Sequence, residues 1–248
     1  MPAKPSTKQR LQLDRQKMTE QDPLVRNANF NEVNLGLPEK VALLEAERCL
    51  LCRDPKCISG CPVMVSIPRF IELLWQGNLP EAAQCLLNDN ALPSITGRVC
   101  PQETQCEIEC IRGNKGLPVA IGYLERYVGD WARGQKDQQS LKVAPSTGKK
   151  MAVVGSGPGG LTAAGELAKY GHAVTVFEAL HKPGGVLVYG TRNSGCRRRS
   201  SRPRSRAWSS RALRSSATPS LAAPTPCRSC ATSSTLSSLP TAPGSRSS

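Results

Sequence analysis

The chain has 248 residues, enough for one or two domains with hydrophobic cores. Its formal net charge of +14 invites a nucleic-acid interpretation, but residues 191–248 supply 11 Arg and no Asp, Glu or Lys. Before position 191 there are 22 basic and 19 acidic residues, so the bulk of the chain is not a basic nucleic-acid-binding protein.

No apolar run approaches the length of a membrane span, and the N-terminal stretch MPAKPSTKQRLQLDRQKM lacks the apolar core of a signal peptide. We therefore expect a cytoplasmic protein. The cytosol keeps thiols reduced, so its 11 Cys are not expected to form structural disulfides, and clustered cysteines there usually hold metal.

Apolar periodicity predicts a helical N-terminal part. Residues 1–35 are polar and predict a loosely docked lead-in with some helix. Helices are predicted over four stretches, each with apolar residues at helical spacing: 38–51, 66–78, 79–90 and 118–134. A polar linker follows over residues 135–150. Residues 150–180 then change period and predict a strand, a glycine-rich turn, a helix and a second strand.

Seven of the cysteines lie in two short blocks. CLLCRDPKCISGCP has the spacing C-x2-C-x4-C-x3-C-P, and CPQETQCEIEC adds three more. Closely spaced soft thiolates bounded by Cys-Pro are typical of 4Fe–4S clusters, and in two-cluster ferredoxins the last cysteine of such a run binds the other cluster. We therefore predict a first ligand set of Cys49, Cys52, Cys57 and Cys110. The second ligand set is Cys61, Cys100, Cys106 and, because an eighth ligand is missing, Glu125.

Other uses of the cysteines remain open at this point. A zinc site would suit C-x2-C, but such sites often include histidine, and His172 and His181 lie far downstream. Cys85 is predicted to be a small core residue. Three further cysteines belong to the Arg/Ser-rich tail and give no evidence for a metal site: Cys196, Cys227 and Cys230.

GSGPGG contains the turn G-x-G-x-x-G, as Gly155, Gly157 and Gly160, between the predicted strand and helix. Glu178 ends the second strand, where an acidic residue binds ribose hydroxyls and disfavours a 2′-phosphate. FAD or NAD therefore fits better than NADP, although a purely structural turn is the alternative. The predicted FAD-binding residues are Gly155, Gly157, Pro158, Gly160, Glu178, Lys182 and Gly185.

Both cysteine blocks, GRVCPQETQCE, PVAIGYLER and VVGSGPGGLTAAGELAKYGHAVTVFEALHKPGG together resemble the NADPH-dependent glutamate synthase small (beta) subunit family. The resemblance covers about residues 15–190, and dihydropyrimidine dehydrogenase shares the two-cluster domain. It implies a helical domain with two 4Fe–4S clusters, FAD on a first dinucleotide fold and NADPH on a second. It also implies one non-cysteine cluster ligand near the LER segment, which supports Glu125.

The resemblance ends abruptly at Gly190. Family members continue I-P-x-F-R-L-P-K, whereas this chain reads TRNSGCRR. Codons ACC CGG AAT TCC GGC TGC CGA AGG encode that string, and read from the third base they encode Pro-Glu-Phe-Arg-Leu-Pro-Lys. We therefore interpret residues 191–248 as a frameshifted tail, with a genuine disordered Arg/Ser-rich tail as the alternative.

The sequence thus predicts an α + α/β chain in three parts: residues 1–140 as a helical, ferredoxin-like domain for two 4Fe–4S clusters, 149–190 as the start of an FAD-binding Rossmann-type domain, and 191–248 as a disordered tail. The predicted function is electron transfer from NADPH through FAD to the clusters, feeding a large glutamate synthase subunit. The FAD site is expected to be incomplete and the chain inactive alone. The alternatives are a ferredoxin–NADP reductase or sulfide dehydrogenase subunit and, from another class, a zinc-stapled nucleic-acid-binding protein. No nucleic-acid or membrane partner is expected.

Overall fold

The computed structural model describes residues 6–135 and 143–190; the predicted tail and part of the predicted linker lie outside them. The first described stretch is mostly helical. Its α-helices are α1 (Thr7–Gln12), α2 (Pro23–Asn27), α3 (Glu39–Glu47), α4 (Lys56–Ser59), α5 (Ile67–Trp75), α6 (Leu79–Asp89), α7 (Pro93–Val99) and α8 (Ile121–Gly134). Two short 3₁₀ helices span Gln102–Thr104 and Ile111–Lys115. An antiparallel pair, β1 (Thr19–Glu20) and β2 (Asn34–Gly36), lies between α1 and α3.

The core of this helical part lies between α3, α5, α6 and α8. These helices form because apolar residues recur at three- and four-residue spacing, which gives each helix one face to bury. The side chains of Phe70, Ile71 and Leu74 on α5 are fully buried against Leu86 of α6 and Leu124 of α8. Asn78 caps α6 by accepting a hydrogen bond from the Glu81 backbone N–H at 3.3 Å. The predicted helices over 66–78, 79–90 and 118–134 are therefore present with shorter ends.

Periodicity did not predict helix α7. Its sequence, PSITGRV, has too few apolar residues for a stable stripe, and packing against α8 holds it instead. Two glycines allow the close approach: a Cβ on Gly97 would lie 2.6 Å from the Arg126 backbone nitrogen, and one on Gly129 would lie 2.6 Å from that of Ser94. The α7–α8 contact thus depends on residues without side chains.

The N-terminal lead-in is docked closely, which corrects the sequence prediction. Arg48 is fully buried; it pairs with Glu45 at 2.5 Å and donates to the carbonyl oxygens of Leu13 and Pro118 at 3.1 and 3.0 Å. Glu45 accepts a further hydrogen bond from the Gln16 backbone N–H at 2.7 Å. Composition could not reveal this docking because the lead-in is held through its backbone.

The second described stretch is a βαβ unit. Strands β3 (Lys150–Val154) and β4 (Ala173–Phe177) pair in parallel, with Lys150 opposite Ala173 and Val154 opposite Phe177. Helix α9 (Pro158–Lys169) connects them, and α10 (Val186–Tyr189) follows. This is the predicted strand–turn–helix–strand order, and with the helical part it gives the predicted α + α/β class. No helix among the described residues is long and apolar enough to cross a membrane.

The βαβ unit contacts the helical part through α7. Leu161 of α9 and Leu187 of α10 pack with Ile95 of α7 in a small buried cluster. Lys169 Nζ donates to the carbonyl oxygens of Leu87 and Asn88 near the end of α6, both at 3.2 Å. A cation at a helix C-terminus is favourable because the last carbonyl groups lack partners within the helix.

Candidate functional site

The four thiols of the first ligand set line one cavity of about 300 Å³: Cys49, Cys52, Cys57 and Cys110. Burial raises the pKa of Cys49 to about 11 and that of Cys57 to about 12, and repulsion among the neighbouring thiols adds to both shifts. Cys49 and Cys57 are thus held as protonated soft donors, which would release their protons when iron binds. The donor set therefore fits an iron–sulfur cluster.

Local structure brings these distant residues together. Cys49 and Cys52 follow the end of α3, and the chain turns between them at Leu51, whose φ of 52° lies in the left-handed region. Cys57 lies on the short helix α4. Cys110 directly precedes the second 3₁₀ helix, so it reaches the cavity from the other cysteine block.

The second ligand set also converges. Burial raises the pKa of Cys106 to about 12, with repulsion from Glu107, Glu125 and Cys61 adding to the shift. Burial likewise raises the pKa of Cys100, which follows the last residue of α7, and Glu125 and Cys61 again contribute. Such mutual electrostatic effects require the groups to be neighbours.

Glu125 is a buried carboxyl on α8, 8% exposed. Burial raises its pKa to about 7, although hydrogen bonds from Thr96 and Asn90 oppose the shift. The Thr96 hydroxyl donates to Glu125 Oε1, and Asn90 Nδ2 donates to the same oxygen at 2.9 Å. Both hydrogen bonds therefore leave Oε2 as the oxygen that suits a metal.

The two ligand sets are adjacent because the cysteine blocks pack backbone against backbone. A Cβ on Gly60, next to Cys61, would lie 2.9 Å from the Gln105 carbonyl oxygen and 3.2 Å from the Cys106 Cα. The ligands of the second set are thus held against the segment that leads to Cys110.

No three Cys, His, Asp or Glu side chains within residues 6–135 and 143–190 are arranged to hold a single metal ion. A four-iron cluster binds each thiolate through a different iron atom, so it does not need that arrangement. The histidines considered for zinc lie in the βαβ unit: His181 contacts the Tyr189 ring, and His172 shares a hydrogen bond with Thr147 at 2.6 Å. Cys85 packs against the core, as predicted.

The glycine-rich turn between β3 and α9 has the backbone that its glycines allow. Gly155 has a φ of 92°, and a Cβ on Gly160 would overlap the Gly155 carbonyl oxygen. Pro158, which has no N–H, is the first residue of α9, and no side chain caps this N-terminus, so the following N–H groups of the first turn can bind an anion. A Cβ on Gly185 would lie 2.9 Å from the Gly157 Cα, which places the 184–185 loop directly on the turn.

Glu178 lies beside this turn at the end of β4. Its carboxylate accepts hydrogen bonds from the Ser156 hydroxyl and, at 3.0 Å, from the Ser156 backbone N–H, and these lower its pKa. The buried Ser156 hydroxyl also accepts from the Gly184 N–H at 2.7 Å. Lys182 is exposed, and its backbone N–H donates to the Tyr189 hydroxyl at 3.0 Å.

Sequence reasoning missed the supporting residues Asn90, Thr96 and Ser156. Ser156 occupies a variable position of G-x-G-x-x-G, so the motif gives it no role. Asn90 is the last residue of the predicted helix over 79–90, and Thr96 lies beyond it in a segment without predicted helical periodicity. Only their position in space relates them to Glu125.

Comparison with known proteins gives two family matches. Residues 26–137 match the 4Fe–4S cluster domain described as dihydropyrimidine dehydrogenase domain II, and residues 153–199 match an NAD(P)-binding Rossmann-like domain. The small chain of glutamate synthase [NADPH] from Bacillus subtilis is 36% identical over 192 residues, which are 74% of this chain and 38% of the relative. The chain is a homologue of the glutamate synthase small chain.

Two further relatives are similar to this chain, one of them with a different name. The glutamate synthase [NADPH] small chain of Escherichia coli is 37% identical over 166 residues, which are 67% of this chain and 35% of the relative. The NAD-dependent dihydropyrimidine dehydrogenase subunit PreT of Salmonella typhimurium is 35% identical over 161 residues, 65% and 39% of the two chains. The chain thus spans under two-fifths of the length of these relatives. The resemblance seen in the sequence is confirmed.

Proposed function

We propose that the chain is the cluster-bearing part of an electron-transfer subunit that carries electrons from NADPH through FAD to two 4Fe–4S clusters. The observation that carries this proposal is that the eight predicted ligands lie in two neighbouring groups, each with residues from both cysteine blocks. Cys49, Cys106 and Glu125 are buried, and the other five thiols are partly buried. When bound, FAD exchanges two electrons with a nicotinamide and each cluster exchanges one, which converts hydride transfer into single-electron transfer.

Different residues of the chain have different proposed roles in binding the cofactors. The thiols of the first ligand set and those of the second hold the clusters, and Glu125 supplies the eighth ligand through Oε2. The glycine turn and the N-terminus of α9 bind the pyrophosphate, and Glu178 binds the ribose. Pro158, Lys182 and Gly185 complete the part of the FAD site that precedes residue 191. Burial of Cys49, Cys106 and Glu125 would limit the access of water to the clusters on that side.

The proposed acceptor is a large glutamate synthase subunit in the cytoplasm, which forms glutamate from glutamine and 2-oxoglutarate. The names of the glutamate synthase relatives support this acceptor. A second candidate is a pyrimidine-reducing partner, which the similar identity to PreT supports. In this proposal the described residues hold the two clusters and begin the FAD site, and the partner decides the reaction.

Iron and acid-labile sulfide in the anaerobically prepared 248-residue chain test the proposal. Two cubane clusters require about eight irons and eight sulfides per chain. Substoichiometric flavin is also expected, because residues 191–248 do not continue the FAD domain. About four irons would contradict the two-cluster proposal, and stoichiometric zinc would favour the zinc-stapled alternative.

A further inference from the structure

Arg112 is a buried cation beside the first ligand set. It lines the same cavity as the four thiols, follows Cys110 by two residues and is 5% exposed. Its guanidinium donates to three carbonyl oxygens of the lead-in, those of Arg10 at 2.7 Å, Leu11 at 3.3 Å and Leu13.

Among the described residues, no carboxylate forms an ion pair with Arg112, and its Nε has no hydrogen-bond partner. Glu45 and Asp14 act on it from a distance, but Glu45 is already paired with Arg48 at 2.5 Å and Asp14 is exposed to water. A buried charge without a countercharge is costly, so an uncompensated cation in a cavity wall indicates an anion inside the cavity.

Arg10 is a second buried cation beside the first ligand set. It is 3% exposed, donates to the Cys49 carbonyl oxygen and lies over the Trp75 ring at 5.4 Å. The Arg112 guanidinium donates to the Arg10 carbonyl oxygen, and this hydrogen bond keeps the two arginines together beside the first ligand set.

The second ligand set has acidic neighbours instead. Glu107 and Glu125 both act on Cys106. Glu107 is paired with Arg15 at 2.7 Å, which reduces its effect, whereas the hydrogen-bond partners of Glu125 are the neutral Asn90 and Thr96. The wall of the first cavity also contains two acids, but both are exposed: Asp54, which pairs with Lys56 at 2.8 Å, and Glu109. The two neighbouring sites therefore differ in the sign of the buried charge beside them.

We propose that Arg112, with Arg10, raises the reduction potential of the first cluster above that of the second, so that an electron shared between them resides on the first. A thiolate-bound cluster is anionic and gains one negative charge on reduction, and net charge is one of the levers that set its potential. A buried cation stabilises the reduced form more than the oxidised form because screening by water is weak there. This inference rests on the proposed clusters.

The test is a redox titration, followed by EPR, of the anaerobically reconstituted full chain, its Arg112→Gln variant and its Arg112→Lys variant. In the wild type we expect the first cluster to be reduced at the higher potential. Arg112→Gln should reduce the affinity of the first cluster for its electron about tenfold, which is about 59 mV for one electron, and leave the second nearly unchanged. Arg112→Lys should retain most of the wild-type potential, because it keeps the charge.

Each alternative has its own result. If Arg112 only anchors the lead-in, lysine cannot replace its hydrogen bonds to three carbonyl oxygens, and the Gln and Lys variants will have the same potential. That result overturns the proposal. An unchanged potential of the first cluster in Arg112→Gln also overturns it. If Arg112→Gln does not fold, Arg10→Gln must lower the potential of the first cluster alone. A wild type with no clusters would instead refute the proposed function, and the iron count detects this before any variant is made.

Discussion

At the scale of single residues, Glu125 decides whether the second ligand set is complete. Its carboxyl is buried where a solvated surface acid would be exposed, and both of its hydrogen bonds go to one oxygen. A buried acid with a raised pKa is costly to a fold unless a ligand or proton compensates it. The proposed coordination of iron by Oε2 would account for both observations.

Replacing Glu125 tests this role directly. Glu125→Ala should alter the EPR signal and potential of the second cluster and leave the first cluster intact, because the first ligand set does not include it. Glu103→Ala is the matched control, since Glu103 is an exposed acid in the same part of the chain. Two unchanged clusters in Glu125→Ala would show that another group is the eighth ligand.

Thr96 is expected to act by orienting Glu125. Thr96→Val removes the hydroxyl that binds Oε1, and loss of a buried hydrogen bond to a charged group should cost about 1.5–3 kcal/mol of unfolding free energy. It should also broaden the EPR signal of the second cluster. Thr96→Ser keeps the hydroxyl and should restore both properties in denaturation and EPR experiments; equal defects in the two variants would refute the positioning role.

At the scale of elements, periodicity predicted the helices that bury a continuous apolar face and the βαβ unit. Helices α5, α6 and α8 and strands β3 and β4 follow from local pattern alone. Helix α7 and the docking of the lead-in depend on tertiary contacts, namely the glycine-mediated contact with α8 and the carbonyl contacts of Arg48 and Arg112. No local pattern carries such information.

The ligand sets were predicted by spacing and chemistry, and their binding of iron stays a prediction. Cysteine spacing suggested which thiols belong together because cluster ligation restricts the order of cysteines along a chain. Asn90, Thr96 and Arg112 could not be predicted in this way, since polar side chains acquire their partners only when the helices pack.

The α7–α8 contact links element packing to the second ligand set, because α7 leads into Cys100 and α8 carries Glu125. Gly97→Ala should force the helices apart, cost about 1–3 kcal/mol and reduce iron retention in the second site. Gly134→Ala is the control, since a Cβ there meets nothing within 4 Å. Anaerobic chemical denaturation and iron analysis measure both effects; wild-type behaviour of Gly97→Ala would show that the contact is not tight.

At the scale of the whole molecule, α7 connects the two described parts. Ile95 packs against Leu161, which follows the glycine turn by one residue, and the next residue of α7 binds Glu125. The glycine-rich turn is therefore connected through α7 to the second ligand set, whereas Arg10 and Arg112 lie beside the first ligand set. This arrangement suits electron entry at the second cluster and residence at the first.

The interleaving of the two cysteine blocks is the central claim, and EPR of single Cys→Ser variants tests it most directly. Cys110→Ser should lose or convert the same cluster signal as Cys52→Ser, despite the distance in sequence, and should retain the signal that Cys100→Ser loses. We predict that Cys110→Ser and Cys52→Ser affect the same cluster because Cys110 lines the cavity of the first ligand set. If Cys110→Ser instead matches Cys100→Ser and leaves the Cys52 signal intact, the assignment of ligands to the two clusters is wrong.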